Sequence, residues 1–264
     1  MPSHGIYVDP AGNAWVGGND NTDHQILKLT SDRKFLLQIG HSGASEGSNS
    51  TTQPGRLAHR EFNTTNNGLF VADGYHNKRV IVFDAGNGAY KRHWGAYGKK
   101  PDDTKLPHNN PESPQFGNPV HCARQTRDGL LYVCDRANNR IRIFRKSGEF
   151  VRQIVLESRT LGSGSAWDLI ATEDPGQRYL LVADGSNGAH PGARKRRAHR
   201  LLRPQWPQRR RFPLGAQHRH RHAGKRLHLG GRYRQARAAL PPRAIGARRC
   251  GRTGTCLRLD AAIS

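Results

Sequence analysis

A short pattern that recurs along the chain limits the folds open to it more than any other feature. Residues 132–154 contain two apolar runs, Tyr132–Cys134 and Ile141–Phe144, separated by a polar turn. A similar stretch occupies residues 71–83, and a third copy begins at residue 181. Short alternating runs divided by Asn and Gly turns are typical of antiparallel strands. A recurring unit of this kind predicts an all-β protein assembled from similar blocks.

The strand and turn pattern divides the first part of the chain into four units. Residues 4–18 and 24–40 each predict a two-stranded hairpin, the first around an Asp-Pro-Ala-Gly-Asn turn. Four strands within about forty residues correspond to one blade of a β-propeller. Further units span residues 57–95 and 116–154, and a fourth opens at residues 165–185.

Two further features agree with a turn-rich β-propeller. The chain contains 30 Gly and 15 Pro among its 264 residues, with few stretches of helical periodicity. The connection at residues 96–118 is long and rich in Pro and Asn, which predicts a functional surface loop rather than a linker. The sequence therefore predicts an incomplete propeller over residues 1–188 and a separate tail over residues 189–264.

The formal net charge of +23 is concentrated in that tail. Residues 189–264 hold 21 of the 43 Lys and Arg residues but one of the 20 Asp and Glu residues. Three interpretations compete for this irregular, Arg-rich segment. A basic arm would bind nucleic acid through its phosphates, although the tail does not interleave aromatic with basic residues. A solvated disordered segment would fit the charge but not the scattered Trp and Leu residues.

The third interpretation, which we favour, is that the tail is propeller sequence read in a shifted frame. Reading one base later, permitted codons can restore strand-like residues from position 188 onward, including a histidine near codons 216 and 217. On this hypothesis the basic charge carries no information about partners, and binding of nucleic acid is not expected. The nucleotide sequence around codon 188 tests it.

Cys122 and Cys134 are the two cysteines that precede the tail, and each lies in an apolar strand-like run. Buried cysteine commonly packs as a small apolar side chain, so free thiols are expected, and a disulfide would require an exported chain. Met1 is followed by polar residues, and no apolar run reaches membrane-spanning length. Neither a signal peptide nor a membrane span is therefore predicted, and the sequence gives no oligomeric state.

Residues at equivalent positions of the inner strands would surround the central channel of a propeller. The first strand of each blade lines this channel, which places His4, His59, His121 and Asp168 around one axis. Alternate blades of a six-bladed ring lie about 120° apart, so three imidazoles could converge on one cation. Three His ligands with an open fourth position suit catalytic zinc. His4 and His121 are the in-frame candidates, and the third ligand would come from the shifted frame.

The units resemble those of NHL-repeat six-bladed propellers, through the series of Asp, Asn, Arg and alternating apolar residues that begins at Asp73 and again at Asp135. Within that group they are most similar to the lyase that cleaves peptidyl-α-hydroxyglycine to a peptide amide and glyoxylate. The resemblance covers residues 4–188. It implies a channel site with zinc, a bound calcium ion, a small-molecule or peptide ligand, and an exported or periplasmic protein.

The resemblance assigns roles to four residues of this chain. His4 and His121 match two zinc ligands. Tyr75 matches the tyrosine that removes the proton of the substrate hydroxyl, and Arg136 matches an arginine that lines the substrate site. Three departures weaken the transfer. In the shifted frame, Asn follows the third zinc histidine where the family has Asp, and the family's first-blade arginine has no counterpart. His59 stands where an acidic residue is expected. Impaired catalysis is therefore predicted.

Each of these roles has a structural alternative. A histidine at a strand start more often forms a hydrogen bond or faces solvent than binds metal. Tyr75 could instead be a turn or channel-wall residue. Asp73, Asp135 and Asp184 are expected to accept hydrogen bonds from turn amides. A propeller of this kind could also bind a ligand or another protein without catalysis.

Overall fold

The computed structural model describes residues 3–63, 65–187, 198–202, 248–249 and 254–256, with side chains described for residues 5–63 and 65–187. Within these residues the regular structure is β, apart from one short 3-10 helix. The first sheet contains β1 (Ser3–Val8), β2 (Ala14–Gly18), β3 (Gln25–Leu29) and β4 (Phe35–Gly40). The second contains β5 (His59–Asn63), β6 (Gly68–Asp73), β7 (Arg79–Asp84) and β8 (Tyr90–Trp94).

The third and fourth sheets continue the same order. The third contains β9 (Val120–Gln125), β10 (Leu130–Asp135), β11 (Arg140–Arg145) and β12 (Phe150–Val155), with the 3-10 helix Arg136–Asn138 between β10 and β11. The fourth contains β13 (Asp168–Ala171), β14 (Leu180–Asp184), β15 (Ala198–Leu202), β16 (Arg248–Arg249) and β17 (Gly254–Cys256).

The first three sheets are antiparallel meanders whose strands are paired in chain order. Their first strands lie side by side, since β1 contacts β5, β5 contacts β9 and β9 contacts β13. Successive sheets that share a line of inner strands are the blades of a propeller. The predicted incomplete all-β propeller of NHL type is confirmed over the described residues.

Packing between blades explains why the middle strands read as continuous apolar runs. Every residue of β6 is buried, because the second blade is covered on both faces. Leu69 and Val71 pack against Trp15 of the first blade, whereas Phe70 packs against Phe144 and other residues of the third. A third cluster joins the third and fourth blades. The core therefore consists of three layers between sheets.

The repeated Asp and Arg residues form buried ion pairs. Asp73 Oδ2 accepts from Arg79 Nε at 2.8 Å, and Asp135 Oδ2 accepts from Arg140 Nε at 2.6 Å. Asp184 accepts hydrogen bonds from the turn amides of Ser186 and Asn187, as predicted.

The other two aspartates accept more distant amides. Asp73 accepts from Gly55 and Asp135 from Gly117, each at 2.8 Å. In the second and third blades, the repeated aspartate at the end of the second strand thus binds the segment that enters the blade. The expected hydrogen bonds to local turn amides are present for Asp184 but not for Asp73 and Asp135.

The prediction of free thiols at Cys122 and Cys134 is wrong. The two residues lie opposite each other on β9 and β10 and form a disulfide, with an S–S distance of 2.08 Å. Each is buried, as the apolar sequence context predicts. The pattern missed the bond because partners on adjacent strands become neighbours only once the register is known.

Part of the predicted tail is described. β15 pairs antiparallel with β14, with Leu181 opposite Leu201, and β17 pairs with β15. The remainder of residues 189–264 lies outside the described residues, so the division at residue 188 and the shifted frame stay predictions. The described residues include no helix with the length and hydropathy needed to cross a bilayer.

Candidate functional site

Tyr75 lies in a turn that packs tightly against the start of the third blade. The preceding Gly74 approaches Val120 so closely that a Cβ atom there would be 2.0 Å from the Val120 carbonyl oxygen. Glycine is therefore required at this contact, which fixes the position of Tyr75. The Tyr75 amide donates to the Arg56 carbonyl at 2.9 Å, and its carbonyl accepts from the Asn118 side chain at 3.1 Å.

His121 approaches Tyr75 from the inner strand β9. Its Nε2 is 3.1 Å from Tyr75 Oη, and its Nδ1 is 2.5 Å from the carbonyl oxygen of Trp167. A carbonyl oxygen can only accept, so Nδ1 carries a proton. In the neutral imidazole the lone pair is then on Nε2, which accepts from Tyr75 Oη. A carbonyl that fixes the second ring nitrogen is also typical of histidines that bind metal.

Arg136 covers the aromatic rings beside this hydrogen bond. Its guanidinium carbon is 4.4 Å from the ring centre of Trp167 and 5.7 Å from that of Tyr75. Arg136 Nη1 donates to Tyr75 Oη at 3.4 Å. Burial lowers the pKa of Arg136, and the interaction with Tyr75 opposes that change. The guanidinium stays charged near neutral pH.

One atom of Arg136 is available to a ligand. Its Nε is buried and has no hydrogen-bond partner among the described residues. A buried donor without an acceptor costs about 1–3 kcal/mol, so a bound acceptor would relieve this cost. A guanidinium commonly binds a carboxylate through two parallel hydrogen bonds. This edge of Arg136 therefore suits a carboxylate ligand.

Trp167 completes the cluster and was not predicted from the sequence. Its ring stacks on Arg136, and its indole Nε1 donates to the Gly164 carbonyl at 2.9 Å. A Cβ atom at Gly185 would be 2.5 Å from this ring, so glycine gives the indole its space. Sequence reasoning selected the neighbouring Asp168 at the start of the fourth inner strand. A large aromatic residue beside that position was the available indication.

The structure brings together three of the four residues predicted for the site. Tyr75 of the second blade contacts both His121 and Arg136 of the third. His4 belongs to β1, and its side chain lies outside the described residues. Its predicted role in binding zinc therefore stays a prediction.

His59 occupies a separate part of the channel wall. Its Nδ1 accepts from the Ala123 amide at 3.4 Å. Burial, followed by the positive charge of Arg124, lowers the pKa of His59 to about 3. His59 is therefore neutral at physiological pH. Two acidic residues lie nearby: Glu61, two residues further along β5, and Asp168 on β13, whose charge acts on His59.

Arg124 on β9 holds these two carboxylates together. Its Nη2 is 2.9 Å from Asp168 Oδ2, and its Nη1 is 3.5 Å from Glu61 Oε2. Burial alone would raise the pKa of Asp168, but the hydrogen bonds and charge of Arg124 lower it below its ordinary value. Burial raises the pKa of Glu61 against the opposing effect of Arg124. A guanidinium thus lies between the two channel carboxylates.

The sequence resemblance implies zinc and calcium, which would need side-chain ligands at this site. His121 Nε2, the nitrogen that would bind zinc, lies 3.1 Å from Tyr75 Oη. Within the part of the chain that the structure describes, no group of three His, Cys, Asp or Glu side chains is placed to hold a metal ion. Both metals therefore stay predictions.

The repeated meanders, their shared line of inner strands and the buried Asp–Arg repeat define an NHL-like β-propeller. Two curated proteins of Xenopus laevis are similar to the chain. Peptidyl-glycine alpha-amidating monooxygenase B is 34% identical over 154 residues, which are 57% of this chain and 16% of that protein. Peptidyl-glycine alpha-amidating monooxygenase A is 33% identical over 154 residues, 57% of this chain and 15% of that protein.

The chain thus spans about one sixth of the length of these curated relatives. Among solved structures, selenomethionine-substituted virginiamycin B lyase from Staphylococcus aureus aligns with a TM-score of 0.47 and 13% identity. That alignment covers 71% of this chain and 50% of the other. No family model matches the sequence.

Proposed function

We propose that the chain is a lyase-like propeller whose Tyr75, His121 and Arg136 bind and process the C-terminal α-hydroxyglycine of a peptide. The observation that carries the proposal is the 3.1 Å hydrogen bond between Tyr75 Oη and His121 Nε2, with the Arg136 guanidinium beside it. The Xenopus laevis relatives are peptidyl-glycine alpha-amidating monooxygenases, and this agrees with a peptide substrate that ends in a glycine-derived residue.

Arg136 would orient the substrate. Its buried Nε has no partner among the described residues, and a substrate carboxylate would supply one. The Trp167 and Tyr75 rings hold the guanidinium from its faces, so its edge remains directed to the ligand. A carboxylate bound at this edge would place the adjacent carbon, with its hydroxyl group, near the phenol oxygen of Tyr75.

Tyr75 would act as the base, with His121 as its proton acceptor. Nε2 of His121 takes the phenol proton, and the charge of Arg136 favours the resulting phenolate. The phenolate then removes the hydroxyl proton of the substrate. The C–N bond breaks as the C–O bond becomes a carbonyl, and the imidazolium proton passes to the leaving amide nitrogen. The products are glyoxylate and the peptide amide, with no net gain or loss of protons.

Zinc is a second form of the proposal: held by His4 and by His121 Nε2, it would occupy the lone pair that otherwise takes the phenol proton. An ionised Tyr75 would then carry the hydroxyl proton of the substrate to the leaving amide nitrogen. When bound, zinc would polarise the hydroxyl oxygen of the substrate. The third ligand was predicted only in the shifted frame, so we expect low turnover for this chain and an increase when zinc is added. The metal content of purified protein, measured by mass spectrometry, tests this part separately from activity.

The first test is glyoxylate release from an N-acetylated peptide that ends in α-hydroxyglycine. Tyr75→Phe should lower release about 100-fold or more, because it removes the general base, and should change peptide affinity less than about twofold. Arg136→Gln should instead weaken peptide binding. Tyr90→Phe is the matched control, since Tyr90 is hydrogen bonded to His93 at 2.9 Å on the outer strand β8.

Two outcomes would contradict the lyase. Release that is equal in the wild type and Tyr75→Phe would exclude the proposed base. Peptide binding that depends on Arg136, without any release at any zinc concentration, would favour the alternative of a ligand-binding propeller without catalysis.

A further inference from the structure

A second concave site lies beside Tyr75, beneath the loop that joins the second and third blades. The cavity has a volume of about 410 Å³. Its polar lining includes His76, Lys78, Lys105 and His108, and its apolar floor includes Phe116. Much of it is formed by the connection at residues 96–118, which the sequence predicts to be a functional loop. Neither the fold nor the proposed chemistry at Tyr75 accounts for Lys105 and His108.

The rim of the cavity is positively charged. Lys105 and His108 are exposed, and Lys78 is half-buried with its Nζ donating to the main-chain carbonyls of Asp103 and Thr104. The Asp103 carboxylate also lines the cavity, but its two oxygens accept hydrogen bonds from the amide and hydroxyl of Ser48. The lining therefore contains two lysines and one carboxylate, and that carboxylate is already hydrogen bonded to Ser48.

A buried acceptor without a partner also lines the cavity. Asn138 is 1% exposed, and its Nδ2 donates to Asp135 and to the Gln115 carbonyl. Its Oδ1 has no hydrogen-bond partner among the described residues. Buried polar atoms without partners are rare in native proteins and require an explanation. An N–H group of a ligand would satisfy this oxygen.

The cavity lies next to the turn that carries Tyr75. Asn118 lines it and donates to the Tyr75 carbonyl at 3.1 Å, and His76 follows Tyr75 in the chain. A ligand that extends from the Tyr75 site across Asn118 would therefore enter the cavity. Basic groups at the rim and an unpaired acceptor in the wall together suit a chain that carries both carboxylate and amide N–H groups.

We propose that this cavity is a subsite for an acidic residue of a peptide whose C-terminal residue lies at Tyr75, Arg136 and His121. Lys105 and His108 bind the side-chain carboxylate, and Asn138 accepts a main-chain N–H of the peptide. The inference rests on the proposed function for the register of the peptide, and it names acidic peptides as the substrate class.

The test uses the full-length chain and stable peptides that end in glycine. The probes are Ac-Glu-Gly, Ac-Glu-Ala-Gly and Ac-Glu-Ala-Ala-Gly, each paired with the corresponding Gln peptide, and the dissociation constants are measured by calorimetry at low salt. At the length that reaches the cavity, the Glu peptide should bind about tenfold more tightly than its Gln partner, because a charge-assisted hydrogen bond replaces a neutral one. Added salt should reduce this ratio.

Two double variants test whether the cavity residues cause the difference in affinity between the Glu and Gln peptides. The double substitution Lys105→Gln and His108→Asn should bring the ratio to below about twofold. Lys99→Gln with Lys100→Gln removes two exposed lysines of the same loop that do not line the cavity, and it should leave the ratio nearly unchanged. Circular dichroism checks that each variant is folded.

The outcomes separate this inference from the proposed function. Ratios below about twofold at all three peptide lengths, or equal losses in both variants, overturn the acidic subsite. If the ratio is lost while glyoxylate release still depends on Tyr75, the lyase stands and the subsite falls. If the ratio persists without glyoxylate release, the subsite stands as part of a binding propeller.

Discussion

Arg136 and Arg140 lie four residues apart, but their surroundings give Arg140 a structural role and suit Arg136 to bind a ligand. Arg140 and Asp135 form an ion pair in which both side chains are fully buried, and Arg140 also donates to the Gln115 carbonyl. Removing one partner of such a pair costs about 3–5 kcal/mol, because a buried charge is left unpaired. Arg136 has no carboxylate partner among the described residues and lies over two aromatic rings. Arg136 is therefore suited to bind a ligand, whereas Arg140 stabilises the blade.

The low pKa of His59 predicts how the stability of the folded protein changes with pH. Its pKa is about 3 in the folded protein, against about 6.5 for an unperturbed histidine. The unfolded chain therefore binds a proton below pH 6.5 that the folded chain does not. Stability from this residue is fully present above pH 6.5 and falls as the pH drops toward 3, by up to about 1.4 kcal/mol per pH unit.

Urea unfolding measures the free energy of unfolding of the wild type and of His59→Gln at several pH values between 7 and 4, and the two pH profiles are compared. The groups that face His59 are Arg124, Asp168, Arg60 and His121. Because these remain in both proteins, the difference between the two slopes isolates His59, and the variant should lose less stability toward low pH. His41→Gln, at an exposed position, is the control. Parallel pH profiles for the wild type and His59→Gln would contradict the prediction.

At the scale of single elements, the disulfide between β9 and β10 lies directly behind the candidate site. Cys122 follows His121, and Cys134 precedes the turn that carries Arg136. Replacing both cysteines with alanine should lower the free energy of unfolding by about 2–4 kcal/mol, because the bond restricts the unfolded chain over a separation of 12 residues. Urea denaturation with and without reductant measures the loss.

Reductant should destabilise the wild type but leave the double alanine variant unchanged. Non-reducing proteolysis followed by mass spectrometry should recover the peptides that contain Cys122 and Cys134 as one linked species. Two separate peptides, with equal stability in both proteins, would show that the thiols are free, as the sequence pattern alone had indicated.

The strands and turns could be predicted from the sequence, whereas several contacts between them could not. Alternating residues and turn signals gave the strands of the four blades, because both depend on local order along the chain. The repeat placed His121 on an inner strand, the family resemblance pointed to Tyr75 and Arg136, and the Tyr75 side chain does meet the other two. Trp167, the disulfide and the basic cavity were missed, because each depends on side chains from different strands or loops. Such contacts require the register and the packing of neighbouring blades.

At the scale of the whole molecule, stability depends on the layers between blades. Each blade contacts its neighbours, so the protein resembles a linear array whose stability is the sum of the units and their interfaces. Phe144 of the third blade is fully buried, and its ring lies 5.8 Å from Trp94 of the second blade and 6.2 Å from Phe116. The side chain therefore links two blades and the connection between them.

Phe144→Ala should destabilise the protein by about 3–5 kcal/mol, because it removes a ring from a filled interface. Phe35→Ala is the matched control: Phe35 is 61% exposed on the outer strand β4, and its loss should cost less than about 0.5 kcal/mol. Urea unfolding followed by tryptophan fluorescence and by circular dichroism measures both changes. If the layer couples the blades, the two probes should shift together in Phe144→Ala. Separate transitions, or equal effects of the two substitutions, would mean that each blade is stabilised on its own.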